Sequence, residues 1–174
     1  MTQPLSPKLN EIVAQLSALP GPASLDELHS ILSQFEIDRL DVEDFCQFNP
    51  LCYARNPVAA NANFELLCIC WLPGQSSLIH DHTGSACGVR VVCGAMTETI
   101  FERTTGNRAR PVRTNYYDPG YVCGSFDQEI HQISNFQEGE RHLVTLHVYS
   151  PPLARMNNYV CEEPSSALYS CTAE

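Results

Sequence analysis

Positive charge is scarce in this chain: 10 lysines and arginines stand against 20 aspartates and glutamates, for a formal net charge of −10. Such a surface repels phosphate backbones and anionic lipids, which argues against a nucleic-acid or membrane partner. Long apolar runs are missing too. No window approaches the roughly 18 consecutive apolar residues of a membrane helix. Residues 1–10 show no basic stretch leading into an apolar one, so no secretory signal is expected there. Nor is there a repeat, a low-complexity tract or a visible boundary between domains, and the expectation is one domain over 1–174. Cysteine, in contrast, is abundant. Its nine copies are odd in number and sit mostly alone in apolar, strand-like contexts (Cys68, Cys70, Cys93, Cys123). They read as reduced thiols acting as small hydrophobes, in a cytoplasmic protein.

The hydrophobic pattern divides the chain. Over residues 1–50 it is helical: Leu9, Ile12, Val13, Leu16 and Leu19 recur at three- and four-residue spacing until Pro20-Gly21-Pro22. Ser24-Leu25-Asp26-Glu27 has the form of a capping box, opening a second helix with Leu28, Ile31, Leu32 and Phe35 on its apolar side. A third short helix is expected within 42–48. From Phe64 onward the chain reads as short strands, at 64–72, 87–93, 96–102, 111–115, 129–134 and 142–149, with glycine-bearing turns between several of them. The expectation is a mainly β barrel or sandwich with its core over 60–152, the helices packed on one side, and a tail at 153–174 that either adds a last strand or ends loosely.

Within this pattern the chemistry concentrates at His80-Asp81-His82. Residues i and i+2 of a strand share a face, so these two imidazoles converge. His131, in another strand-like run, is a third candidate. Three neutral imidazoles on rigid strands suit iron, nickel, copper or zinc.

The spacing resembles the cupin jelly-roll family, whose first motif is glycine, five residues, His-x-His, three or four residues, glutamate, six residues, glycine. Gly74, His80, His82, Cys87 and Gly94 stand at those places, with cysteine in the glutamate position; His131 and Asn135 fit the His-x-x-x-Asn of the second motif. A site of three histidines without the carboxylate resembles, more narrowly, the cysteine dioxygenases. Tyr53-Ala-Arg55-Asn56, the stretch from Cys70-Trp71 to Thr83, and Leu146-His147-Val148-Tyr149-Ser150-Pro151-Pro152 carry that likeness, over about 53–152, with a weaker likeness in the N-terminal helices.

The resemblance implies a cupin barrel holding Fe(II) on His80, His82 and His131, with L-cysteine and O2 converted to cysteine sulfinic acid. It implies that Tyr53, Arg55 and Tyr149 bind substrate, Arg55 by clamping the α-carboxylate. An arginine standing before the strands would otherwise read as an ordinary solvated residue. Relatives acting on 3-mercaptopropionate typically carry glutamine in its place, so Arg55 favours cysteine over another small thiol. Cys87 and Tyr149 match the pair that becomes a thioether in the animal-type enzymes. His147, two residues before Tyr149 on the same strand face, is placed to orient its hydroxyl. The family also implies a monomer. A metal-binding cupin without enzymatic activity is the alternative of a different class, one with no need of Arg55, Cys87 or Tyr149. Trp71 reads as a core aromatic, and His29 and His142 receive no role.

Overall fold

A computed structural model describes residues 4–162. Helix α1 (Pro7–Ala18) starts where Ser6 accepts a hydrogen bond from the Leu9 amide and Pro7 sits in the first turn, a position where its missing N–H costs nothing. Helix α2 (Leu25–Ser33) opens on the expected capping box, with the Ser24 hydroxyl bonded to the Glu27 amide and the Glu27 carboxylate to the Ser24 amide. The third helix is reduced to a single 3₁₀ turn at Glu43–Phe45. Only Phe45 of that turn is buried, too little apolar surface to hold a longer helix down.

Eight strands follow: β1 (Ala54–Ala60), β2 (Glu65–Trp71), β3 (Ile79–Cys93), β4 (Met96–Arg103), β5 (Arg108–Tyr117), β6 (Val122–Ser134), β7 (Leu143–Ser150) and β8 (Asn158–Cys161). They lie in the order β1-β2-β7-β3-β6-β4-β5-β8, and β8 also pairs with β3, which closes the far end of the sheet back onto its middle. One element departs from the sequence expectation: strand β1 precedes the 60–152 core, so Arg55 lies within a strand and not before the strands. Strand β8 falls in the 153–174 tail and is the last strand that was one of the two alternatives there; residues 163–174 lie outside the described residues. Neither strand announces itself, because β1 contains Pro57 and three alanines, and β8 is four residues long.

The near-continuous apolar runs of β2 and β7 are explained by burial on both faces. Leu66, Cys68, Cys70, Val144, Leu146 and Val148 face the layer that contains α1 and α2, while Leu67, Ile69, Trp71, Leu143 and Tyr149 line the interior of the barrel. Helix α2 lies against β3 and β6. It can do so because the paired residues Gly88 and Gly124 present no side chain beneath it: a Cβ at Gly88 would meet Leu28 and Leu32 at 3.0 Å, and one at Gly124 would come within 2.6 Å of the Cys87 carbonyl. Arg90 then donates to the Leu32 carbonyl at 2.9 Å, placing a cation at the C-terminal turn of α2. No helix among the described residues is long and apolar enough to cross a membrane.

Because backbone cannot yield as a side-chain tip does, Gly124→Ala is expected to cost about 1–3 kcal/mol of stability in denaturant melts. Gly21→Ala, with nothing near its added Cβ, should leave the midpoint within about 0.5 kcal/mol.

Candidate metal centre

Strand β3 supplies His80 and His82, and β6 supplies His131, which is the direct cross-strand partner of His80. The three rings are buried, with centroids 4.8–4.9 Å apart. Each ring has its Nδ1 engaged: His80 with the Leu78 carbonyl at 2.8 Å, His82 with the Ser125 hydroxyl at 3.0 Å, His131 with a Glu98 carboxylate oxygen at 2.9 Å. That leaves the Nε2 atoms to converge. Those of His80 and His82 are 3.1 Å apart, and Nε2 of His131 is buried with no hydrogen-bond partner.

Burial, and then the neighbouring His131, pull the His80 pKa down to about 4. The same causes, with His80 added, pull His82 to about 2. Both rings are therefore neutral at physiological pH and hold lone pairs for an ion. Convergent imidazoles, one with an orphaned nitrogen, fit a divalent transition metal.

Two supports of the site, Glu98 and Asp81, receive no role from the sequence. Burial alone would raise the Glu98 carboxyl, but hydrogen bonds from His131, Asn115 and Tyr117 outweigh it and hold the group below its ordinary pKa. A carboxylate behind a ligating histidine fixes the ring and raises its basicity. Glu98 could have been suspected from its place between Met96 and Ile100 on one face of β4, since a charge flanked by apolar residues on its own face points inward. The second support is Asp81, which turns away from the two histidines and accepts from Asn157 at 3.0 Å and Tyr159 at 2.7 Å, binding β8 to the His-x-His segment.

Beside the imidazoles lie the other residues singled out in the sequence. Tyr149 is buried on β7 with its ring centroid 5.2 Å from that of His82. Trp71 can only donate, so its indole N–H, 3.1 Å from the Thr145 hydroxyl oxygen, fixes that oxygen as acceptor. The Thr145 proton then points to His147 Nε2 at 2.9 Å, which assigns the His147 proton to Nδ1, 3.5 Å from the Tyr149 hydroxyl. Burial, and next the Arg55 cation, hold His147 well below its ordinary pKa and hence neutral. Burial, with Cys87 adding to it, keeps Tyr149 protonated, and burial likewise raises the Cys87 thiol.

Cys87 faces Tyr149 directly across the β3–β7 pair, and its sulfur is 4.0 Å from His147 Nδ1. Arg55 projects from β1 with its guanidinium carbon 5.2 Å from the Tyr149 ring centre and a nitrogen 3.9 Å from Glu65. Burial would lower its pKa, but Tyr149, Tyr53 and Glu65 together raise it. Tyr53 itself stacks on Trp71 at 4.4 Å. The eight cysteines among the described residues are free.

A double-stranded β-helix barrel with three buried, convergent histidines defines the molecule as a cupin with a metal-type centre. The fold is shared with a Klebsiella pneumoniae protein that has a double-stranded β-helix domain (TM-score 0.54, 16% identity, covering 68% of this chain and 94% of that one). An oxalate oxidase aligns at TM-score 0.50 and 13% identity, over 64% of this chain and 57% of its own. Sequence is more specific: the chain belongs to the cysteine dioxygenase type I family, whose model matches residues 2–161. Human cysteine dioxygenase type 1 is 31% identical over 163 residues, covering 87% of this chain and 78% of the human protein. The zebrafish (Danio rerio) protein of the same name is 29% identical over 136 residues, 74% of this chain and 66% of its own.

Glu98→Gln is expected to weaken divalent-metal affinity by about 10- to 100-fold in competition with a chromophoric chelator, because the ring behind it loses its anionic acceptor.

Proposed function

We propose that the protein is a non-haem iron thiol dioxygenase that converts L-cysteine and O2 to cysteine sulfinic acid. The observation that carries this reading is the approach of one cation and one phenol to three convergent imidazoles: the Tyr149 ring lies 5.2 Å from both the Arg55 guanidinium carbon and the His82 ring centroid. His80, His82 and His131 would hold Fe(II), with Cys87 in place of a carboxylate ligand leaving positions open. Fe(II) bound there would bring a substrate thiolate and dioxygen together and let sulfur's electrons reach oxygen.

The remaining tasks fall to side chains. Arg55, kept charged, donates two parallel hydrogen bonds to the α-carboxylate, and Tyr53, stacked on Trp71, joins it in binding substrate. The Tyr149 hydroxyl accepts from His147 Nδ1–H, so its own proton is free to be donated to substrate or to the oxygen being transferred. The buried interior excludes water, which protects a reactive thiolate from side reactions. Both oxygen atoms end on sulfur, which gives up four electrons while O2 takes them, so no reductant or organic cofactor is called for. The free cysteines suit the reducing cytoplasm, and a monomer suffices because every residue invoked lies on one chain.

The opposition of Cys87 and Tyr149 supports a second part of the proposal: the two become joined by a thioether bond. Its formation breaks the S–H bond and one ring C–H bond, makes the S–C bond, and passes two electrons and two protons to O2, giving hydrogen peroxide. Intact mass after turnover with Fe(II), cysteine and O2 is expected to fall by two hydrogens, and no such loss should occur in Cys87→Ser. An unchanged wild-type mass contradicts the bond.

Arg55→Gln is expected to lower kcat/KM for cysteine by roughly 30- to 1,000-fold, the worth of a partly desolvated charge-assisted pair of about 2–4 kcal/mol. Use of 3-mercaptopropionate should fall much less, since without an amine that substrate can offer its carboxylate to the metal. Equal losses on the two substrates would place the carboxylate clamp elsewhere.

A further inference from the structure

A second cluster of metal-ligating side chains lies on the opposite face of β2 from the barrel interior. Cys68 and Cys70 alternate with Leu67, Ile69 and Trp71, so their sulfurs point into the layer beneath the N-terminal segment. There they meet Cys46, the residue that ends the 3₁₀ turn and donates its amide to the Glu43 carbonyl. The Cys46 and Cys68 sulfurs are 4.0 Å apart, and all three lie within 4.8 Å of one another. We propose that Cys46, Cys68 and Cys70 form a trigonal thiolate site for a soft monovalent cation, Cu(I), separate from the histidine centre.

Geometry selects the ion. Three sulfurs arranged trigonally at about 2.3 Å from a central ion stand about 4.0 Å apart, the spacing of Cys46 and Cys68. Zinc takes four ligands at a structural site, and among the described residues this group contains no fourth histidine, cysteine or carboxylate. Asn56 Nδ2 approaches the Cys70 sulfur at 3.5 Å, a donor suited to a thiolate there. Cys68 and Cys70 are fully buried while Cys46 is only partly so, which gives an ion one side of approach. Had the three been apolar filler alone, nothing would require their sulfurs, from two separate segments, to converge on one point. Binding there would pin the 3₁₀ turn to β2, whose neighbours β1 and β7 carry Arg55 and His147.

The test uses the full-length, Fe(II)-loaded protein, reduced and anaerobic, titrated with Cu(I) in the presence of bicinchoninate as competitor. One equivalent of Cu(I) is expected to be retained, with X-ray absorption showing three sulfur neighbours. Cys46→Ser and, separately, Cys70→Ala should each lose at least tenfold in affinity while keeping the wild-type circular dichroism; Cys52→Ser and His82→Ala should retain the ion. Surrender of all copper by the wild-type protein would overturn the assignment. So would unchanged retention in Cys46→Ser and Cys70→Ala, or loss of the ion in His82→Ala. None of these outcomes depends on the dioxygenase activity.

Discussion

A buried imidazole has two nitrogens to satisfy, and among its three converging histidines the barrel leaves one nitrogen, on His131, without a partner. The Leu78 carbonyl, Ser125 and Glu98 take the Nδ1 atoms, which fixes ring orientation and leaves Nε2 of His131 without a partner. Leaving a buried polar atom unpaired costs about 1–3 kcal/mol, and a metal ion removes that cost. Much of the architecture can be understood as holding this arrangement in place. The β3–β6 pairing sets His80 against His131, and β8 ties down Asp81 between the two β3 ligands. Gly88 and Gly124 let α2 close over the outside of the same two strands.

A second chain of dependence runs from Trp71 through Thr145 and His147 to Tyr149. Its direction is set by a group that can only donate, and it terminates in a phenol held neutral by burial beside a cation. Cation and phenol stand on β1 and β7, the two strands that flank β2. One strand thus carries Trp71, the start of that chain, on one face and two of the three convergent sulfurs, those of Cys68 and Cys70, on the other.

Local chemistry made much of this legible in the sequence. The capping box at Ser24–Glu27 is realised as expected, since it depends on residues four apart or fewer. The alternation around His80 and His82 similarly brought both ligands to one face. What stayed hidden was non-local. Glu98 is 33 residues from the histidine it supports and becomes meaningful only once β4 lies beside β6. Strand β1 is stabilised by pairing with β2 and not by its own composition, so Arg55 looked like a residue ahead of the barrel. Cys68 and Cys70 read as separate small hydrophobes, with no link to Cys46, because the turn that brings Cys46 to β2 has no periodic signal. The resemblance to cysteine dioxygenases was carried mainly by 53–152, with a weaker likeness in the N-terminal helices, and the family match spans both, over 2–161.

The measurement that tests the account most directly is oxygen uptake. Anaerobic, Fe(II)-loaded protein is mixed with L-cysteine, O2 is admitted, and consumption is followed alongside cysteine sulfinate by mass spectrometry. The account predicts one sulfinate formed for each O2 consumed, with both oxygen atoms traced to sulfur by isotopic labelling. Absence of uptake with cysteine and with every other small thiol would contradict it.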